Sequence, residues 1–397
     1  MWEFTPDDDG GEASSDLGYS YSIPTIAMTN DEDVDGQQRW AAIFGNGYNA
    51  TNTVTGEGQS ALYIVFLEGG LDDVWTDTDD FIKIKTGNGI SASNTTPNGL
   101  GTPRLIDHDG DGDVDYVYAG DLHGKLYRFD LTSTTSSDWE PAGATEIFAA
   151  EDSSGNSQSI TTQPLVFNHP TETGEYIVVT ATGKWIEDSD ATDTSIQSLY
   201  GVWDNLSSSV TRSQLTEQVL TNEASAFYGF SVRTLTNNTF TWKDTGSASN
   251  QKRGWYIDFD VLSSGSIEYP GERGIQVQTR ADILFVNTIL PKDANTCQGV
   301  QGGFQMAIDP YTGGRTSVAI FDVNSDGAFD SADNVGSVDT GVVAALKFDA
   351  APAPSSFIGT RRVTQLSDTS IVSIDTNTND GASTSTRRTS WREITDD

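Results

Sequence analysis

Apolar residues along this chain come in short runs of strand length, each closed by a polar turn. Residues 61–67 (ALYIVFL) are apolar throughout, as a strand covered on both faces would be. Lys125–Leu131 alternates instead. Tyr127, Phe129 and Leu131 share one face, and Arg128 and Asp130 the other, which is the period of a half-buried strand. Asp115–Ala119 precedes it across the polar turn 121–124, so the two runs predict a hairpin. Further strand-like runs occupy Leu17–Met28, Arg39–Gly45, Phe81–Thr86, Thr162–Phe167, Tyr176–Thr182, Gly183–Glu187, Ser198–Asp204 and Phe227–Thr234. The pattern continues through Phe240–Lys243, Gly254–Asp260, Gly274–Thr279, Ile283–Ile289, Phe304–Ile308, Ser317–Phe321 and Val342–Phe348. Residues 205–225 hold the one helix candidate. The tail from Ala350 is rich in Ser, Thr and Asp.

Many short strands, turn signals every ~8–12 residues and almost no amphipathic helix indicate an all-β sandwich, barrel or propeller. Strand ends carrying glycine recur as FGNG at 44, YAGD at 118 and TATG at 180. Their spacing exceeds the ~40–50 residues of regular propeller repeats. Four-stranded blades with long loops would fit the 397 residues about six or seven times. Separate sandwiches would need linkers, and only 350–356 (AAPAPSS) has that composition. The expectation is one propeller over 1–397, with 350–397 as its closing segment.

Composition narrows the function. The 36 % hydrophobic content, with 10 % aromatic residues, supports a real core. A net charge of −36 argues against nucleic acid and anionic lipid as partners, since both require a basic footprint. No apolar run is long enough to span a membrane. Cys297 is the single cysteine, so an intrachain disulfide is impossible. The acidic N-terminus is no signal peptide. If the protein is exported, the chain is expected to be part of a longer one.

Two acidic loops carry the candidate chemistry. Asp107, Asp109, Asp111, Asp113 and Asp115 fall within nine residues. At ~4 Å and an effective dielectric of ~20, each like-charged pair costs about 4 kcal/mol, so the cluster must stay solvated or hold a cation. Acids at positions 1, 3 and 5, Gly112 at 6 and Asp115 at 9 follow the front of a calcium loop. Hard oxygen donors suit Ca²⁺, and a softer metal would find only His108. The second loop runs from Asp322. Asp322, Asn324 and Asp326 take positions 1, 3 and 5, Gly327 takes 6 and Ala328 offers its carbonyl at 7. Asp330 and Asp333 take 9 and 12. Neither loop is flanked by amphipathic helices, so both read as static structural sites.

Catalytic signatures are missing. His108, His123 and His169 lie in loops without a nucleophile motif beside them and read as solvated. The nine tryptophans are spread along the strands and read as core, with a glycan-stacking platform as the sharper alternative. A quinone-dependent oxidoreductase is the enzyme reading to weigh, because such propellers combine tryptophan-rich blades with calcium.

Taken together, MWEFT (1–5), DLGYSYSIPTI (16–26), WAAIFGNGYN (40–49) and the 107–131 segment resemble one family. TGKWIEDSD (182–190), LYGVWD (199–204), GWYIDF (254–259), GERG (271–274) and SWREI (390–394) add to it. The resemblance is to the C-terminal propeller of PilY-type proteins, the type IV pilus tip-associated adhesin and biogenesis factors. It implies a modified seven-bladed propeller without enzymatic activity. Its surface calcium site maps onto Asp107, Asp109, Asp111, Asp113 through its carbonyl, and Asp115. It also implies an extracellular, pilus-associated monomer whose partners are minor pilins and a host or abiotic surface, and which opposes retraction in a calcium-dependent way. The family pairs cysteines near Pro291–Gly303, where this chain has Cys297 alone.

Overall fold

Strands pair largely with their chain neighbours. The computed structural model describes residues 3–378 except 10–14, 33–35, 49–56, 73, 93, 223–225, 244–249, 292–299 and 337–340. In the first sheet Thr25–Glu32, Gln38–Gly45, Ala61–Phe66 and Phe81–Lys85 run antiparallel in sequence order. The second sheet repeats this with Arg104–Ile106, Tyr116–Gly120, Lys125–Asp130 and Ala144–Ala149. The third orders Leu165–Asn168, Tyr176–Ala181, Ser198–Asp204 and Gly254–Asp258, and adds Thr216–Gln218 parallel to the last. The fourth holds Leu220–Asn222, Val232–Leu235, Val343–Phe348, Val300–Ile308, Ile283–Pro291 and Arg273–Arg280. A fifth, three-stranded sheet spans Ser356–Ile358, Arg361–Gln365 and Ile371–Asp375.

Each sheet shares a core with the next, which is how propeller blades pack. Ile43, Ile64 and Ile84 of the first sheet meet Val117 and Phe129 of the second. The second presents Tyr118, Leu126 and Phe148 to Val178 and Tyr200 of the third. Ile177, Leu199 and Ile257 then pack on Leu284, Val286 and Met306 of the fourth. Phe285, Ala307 and Leu346 face Ile374 of the fifth and Leu366 just after its middle strand. The fold is a β-propeller. Among the described residues five sheets have three or more strands, beside two two-stranded ribbons, so the seven-blade count remains an expectation.

This packing explains why Ala61–Phe66 is buried at every position. It also corrects the half-buried reading of Lys125–Leu131. Arg128 is only 8 % exposed, because the next sheet covers its face and supplies Asp204 as its ion partner at 2.6 Å.

Trp255 shows how tightly the sheets interlock. Its fully buried indole donates to Pro310 O at 3.0 Å. A Cβ on Gly201 would stand 2.3 Å from Trp255 Cε2, and one on Gly313, at φ +65°, 2.1 Å from Cδ2. Only glycine leaves that space.

Several sequence expectations are corrected. Over 205–225 the described residues form a single 3₁₀ turn, Arg212–Gln214, followed by the short strands Thr216–Gln218 and Leu220–Asn222. Burial there alternates, with Leu215, Gln218 and Leu220 inside and Val219 43 % exposed. Pairing with neighbouring strands overrides the helical propensity. Ser317–Phe321 and Gly183–Glu187 are not strands but carry isolated bridges at Phe321 and Gly183. The first strand begins at Thr25 and not at Leu17. The polar tail contributes the whole fifth sheet before residue 379, the start of a segment outside the described residues together with 390–394.

Candidate metal centre

The first acidic loop hangs between Arg104–Ile106 and Tyr116–Gly120, and its own backbone shapes it. Asp107 accepts from Gly110 N at 2.6 Å and from Gly112 N at 3.0 Å. Asp109 accepts from Asp111 N and Asp111 from Asp113 N, both at 3.2 Å. Gly110 and Gly112 have φ of +85° and +105°, which glycine tolerates. These turns wrap the chain so that ligand oxygens of Asp107, Asp109 and Asp115 all lie within 4.8 Å of one another. Among the described residues this is the one such group of three acidic or metal-binding side chains.

Three sheets hold the loop in place. From the first strand, Asn30 Nδ2 donates to Asp115 Oδ1, Val114 O and Leu131 O, each at 3.2 Å. Gln38 Nε2 donates to Asp113 Oδ2. Within the loop His108 N donates to Asp115 Oδ2 at 2.7 Å, and its ring nitrogen Nδ1 lies 2.7 Å from Tyr176 Oη of the third sheet. No local spacing signals Asn30, Gln38 or Tyr176, and sequence reasoning missed all three.

Asp107, Asp109 and Asp111 are exposed, whereas Asp113 and Asp115 are 1 % and 6 % exposed. Oδ1 of Asp113 is buried without a hydrogen-bond partner. Burial, reinforced by Asp111 and then by the charges of Asp115 and Asp109, pushes the Asp113 carboxyl up to about 6. A divalent cation in the cluster would reverse that balance. Converging carboxylates beside an orphaned buried oxygen fit a hard cation such as Ca²⁺. Asp111 and Asp113 fall outside the converging three.

In the second loop the carboxylates cap backbone. Asp322 accepts from Asp326 N at 3.1 Å and Gly327 N at 2.9 Å. Asp333 accepts from Val323 N at 2.7 Å, Asn324 N at 3.2 Å and Asp330 N at 3.3 Å. Asn324 Nδ2 donates to Asp326 Oδ2 at 2.9 Å, Asp326 accepts from Ala328 N and Asp330 from Ala332 N. Burial raises the Asp333 carboxyl despite these donors. Its carboxylates do not gather as a group of three. The loop is anchored by Phe321 and Val323 in the core shared by the fourth and fifth sheets.

The histidine expectation is corrected at His169. It is 6 % exposed and stacks on Trp203 at 4.4 Å. Trp139, Trp203 and Trp255 are core residues, while Trp40 and Trp185 are 49 % and 39 % exposed. Cys297 lies outside the described residues.

A family model described as the PilY1 beta-propeller domain matches residues 1–233. The chain belongs to the PilY1 family. A relative named type IV pilus biogenesis factor PilY1, from Pseudomonas aeruginosa PAO1, is 33 % identical over 361 residues, covering 83 % of this chain and 28 % of the relative. A PilY1 homolog from Xylella fastidiosa is 30 % identical over 397 residues, 99 % of this chain and 28 % of its own length. The chain thus spans less than a third of these relatives. The crystal structure of the P. aeruginosa PilY1 C-terminal domain matches with a TM-score of 0.72 at 29 % identity, over 95 % of this chain and 75 % of that one. The first acidic loop falls inside the span that matches the PilY1 propeller, and the second falls beyond it.

Proposed function

We propose that this chain is the calcium-binding, non-enzymatic propeller of a type IV pilus biogenesis factor, working outside the cell in association with the pilus. The observation that carries the reading is the convergence of Asp107, Asp109 and Asp115 beside the unpaired, buried Oδ1 of Asp113. The relatives from Pseudomonas aeruginosa and Xylella fastidiosa, both named as pilus biogenesis factors, support the pilus role. Asp107, Asp109, Asp111 and Asp115, with the Asp113 carbonyl, would hold one Ca²⁺. Asp322, Asn324, Asp326, Asp330, Asp333 and the Ala328 carbonyl would hold another. A bound ion offsets the mutual repulsion of the aspartates. Asn30, Gln38 and Tyr176 then tie the ordered loop to the first and third sheets, so that occupancy stiffens the surface offered to minor pilins. Opposition to retraction, and attachment to a host or abiotic surface, follow from that same surface.

Calorimetric calcium titration tests the reading, with Asp109→Ala and Asp326→Ala each expected to remove one site. Asp115→Ala in the full-length protein should change piliation. Unchanged calcium affinity together with unchanged pili overturns the proposal.

A further inference from the structure

The third sheet carries a groove to which neither acidic loop contributes. A cavity of about 680 Å³ lies against its edge strand Thr216–Gln218, and Arg212, Glu217, Tyr256, Lys252, Asn238 and Asn250 are among its lining residues. Glu217 and Tyr256 stand side by side, as partners across two parallel strands. The Arg212 guanidinium stacks on the Tyr256 ring, 3.9 Å from its centroid. Arg212 is itself fixed by Asp258, by Tyr200 Oη at 2.7 Å and by Glu151 O at 2.9 Å. The aromatic platform is thus held in place before any ligand arrives.

Polar groups around Tyr256 are left for a ligand. Glu217, Thr239 and Asn250 are exposed, and no hydrogen bond among the described residues engages their side chains. Lys252 Nζ uses one of its three donors on Ser213 O, at 3.0 Å. Asn238 Nδ2 donates to Glu217 O at 2.8 Å, which ties that wall of the groove to the edge strand. Partial burial, and then the charges of Asp258 and Asp260, raise the Glu217 carboxyl, so a donor from a ligand would relieve it. The charges in the lining balance. Asp152 and Glu217 are matched by Arg212 and Lys252, within a chain of net charge −36. A charged ligand of either sign would meet a like charge there, whereas a hydroxyl both donates and accepts.

We propose that this groove binds a short neutral oligosaccharide. The C–H face of a sugar ring packs on Tyr256, and the ring hydroxyls pair with Glu217, Thr239, Asn250 and Lys252. The volume lies within the ~300–1,000 Å³ of small-molecule sites, and an open, polar groove suits an extended sugar chain better than an apolar ligand. A second cavity of about 300 Å³ shares Glu217 and runs along residues 219–222, which gives that chain room to continue. No tryptophan lines the groove, so the platform is a tyrosine. The site supplies a partner for the surface attachment proposed above, and its biological use rests on that reading, while the binding itself needs no calcium.

The test presents the purified chain, at fixed calcium, to an array of neutral, sialylated and sulfated oligosaccharides. Binding should fall on neutral glycans. Glu217→Ala, an exposed change that should leave thermal unfolding as it is, should weaken the strongest neutral binder about three- to tenfold, and Tyr256→Ala about tenfold or more. Asp109→Ala should bind the same glycans, so a failed calcium titration leaves this proposal standing and a failed array leaves the calcium sites standing. A crystal of the wild type grown with the strongest neutral binder should place a sugar ring against Tyr256, a readout that needs no variant. Absence of neutral binding overturns the proposal. So does binding confined to sialylated or sulfated glycans, wild-type binding by both groove variants, or a sugar seated elsewhere.

Discussion

His108 Nδ1 lies 2.7 Å from the hydroxyl of Tyr176, joining the acidic loop of the second sheet to the third. The two rings meet edge-on at 5.8 Å, and the backbone N–H of His108 simultaneously holds Asp115. Tyr176→Phe keeps the ring and removes the hydroxyl. It should cost about 1 kcal/mol in urea unfolding and weaken calcium binding a few-fold. Unchanged affinity would mean that the loop keeps its shape without the third sheet.

Gly201→Ala places a methyl against the buried indole of Trp255, and Gly313 comes as close to the same ring. A loss of about 3 kcal/mol is expected. The double variant with Trp255→Leu should lose less than the sum of the two singles, because the clash is shared.

Arg233 and Glu272 form an ion pair at 2.8 Å, each side chain 1 % exposed. Asn222 Oδ1 accepts from Arg233 Nε at 2.9 Å, and Thr288 Oγ1 donates to Glu272 at 2.8 Å. Arg233→Met alone leaves the carboxylate buried and uncompensated, and should cost about 3–5 kcal/mol. Arg233→Met with Glu272→Leu should cost less than Arg233→Met alone, measured by chemical denaturation.

His169 carries an acid-sensitive contribution to stability. Its Nδ1 accepts from Glu172 N at 3.0 Å and Thr171 N at 3.3 Å, while Trp203 and Trp242 cover the ring. Both backbone bonds require an unprotonated Nδ1. Burial outweighs the nearby Glu172 charge and draws the pKa from 6.5 down to about 4. Since the folded value lies below the unfolded one, the unfolded chain binds the proton first. The contribution is whole above pH 6.5, falls as pH drops towards 4 and then levels off, amounting to about 1–3 kcal/mol. The difference between wild type and His169→Asn in urea midpoints across this range measures it, and a flat difference would refute it.

How much was legible depended on the distance over which each feature is decided. The strand runs of the first two sheets were readable because their burial follows side-chain alternation or unbroken apolarity. The 205–225 segment misled because RSQLTEQVL is helical by composition, yet its successive short strands, Thr216–Gln218 and Leu220–Asn222, pair with two different sheets. The tail was passed over as polar, although Val363, Val372 and Ile374 alternate and Ile374 joins the core of the fourth and fifth sheets.

By itself, the sequence determined the two aspartate loops, their glycine turns and the all-β character. The loops rest on hydrogen bonds between residues no more than ten positions apart, and the all-β character on side-chain alternation within each short run, so a short string of side chains encodes both. Tertiary structure alone decided that Asn30, Gln38 and Tyr176 hold the first loop, that Arg128 is buried against Asp204, and that Arg362 is buried against Asn287. Those contacts join residues some 68 to 85 positions apart. They exist only because one sheet covers the face of the next, and no local period records which face that will be.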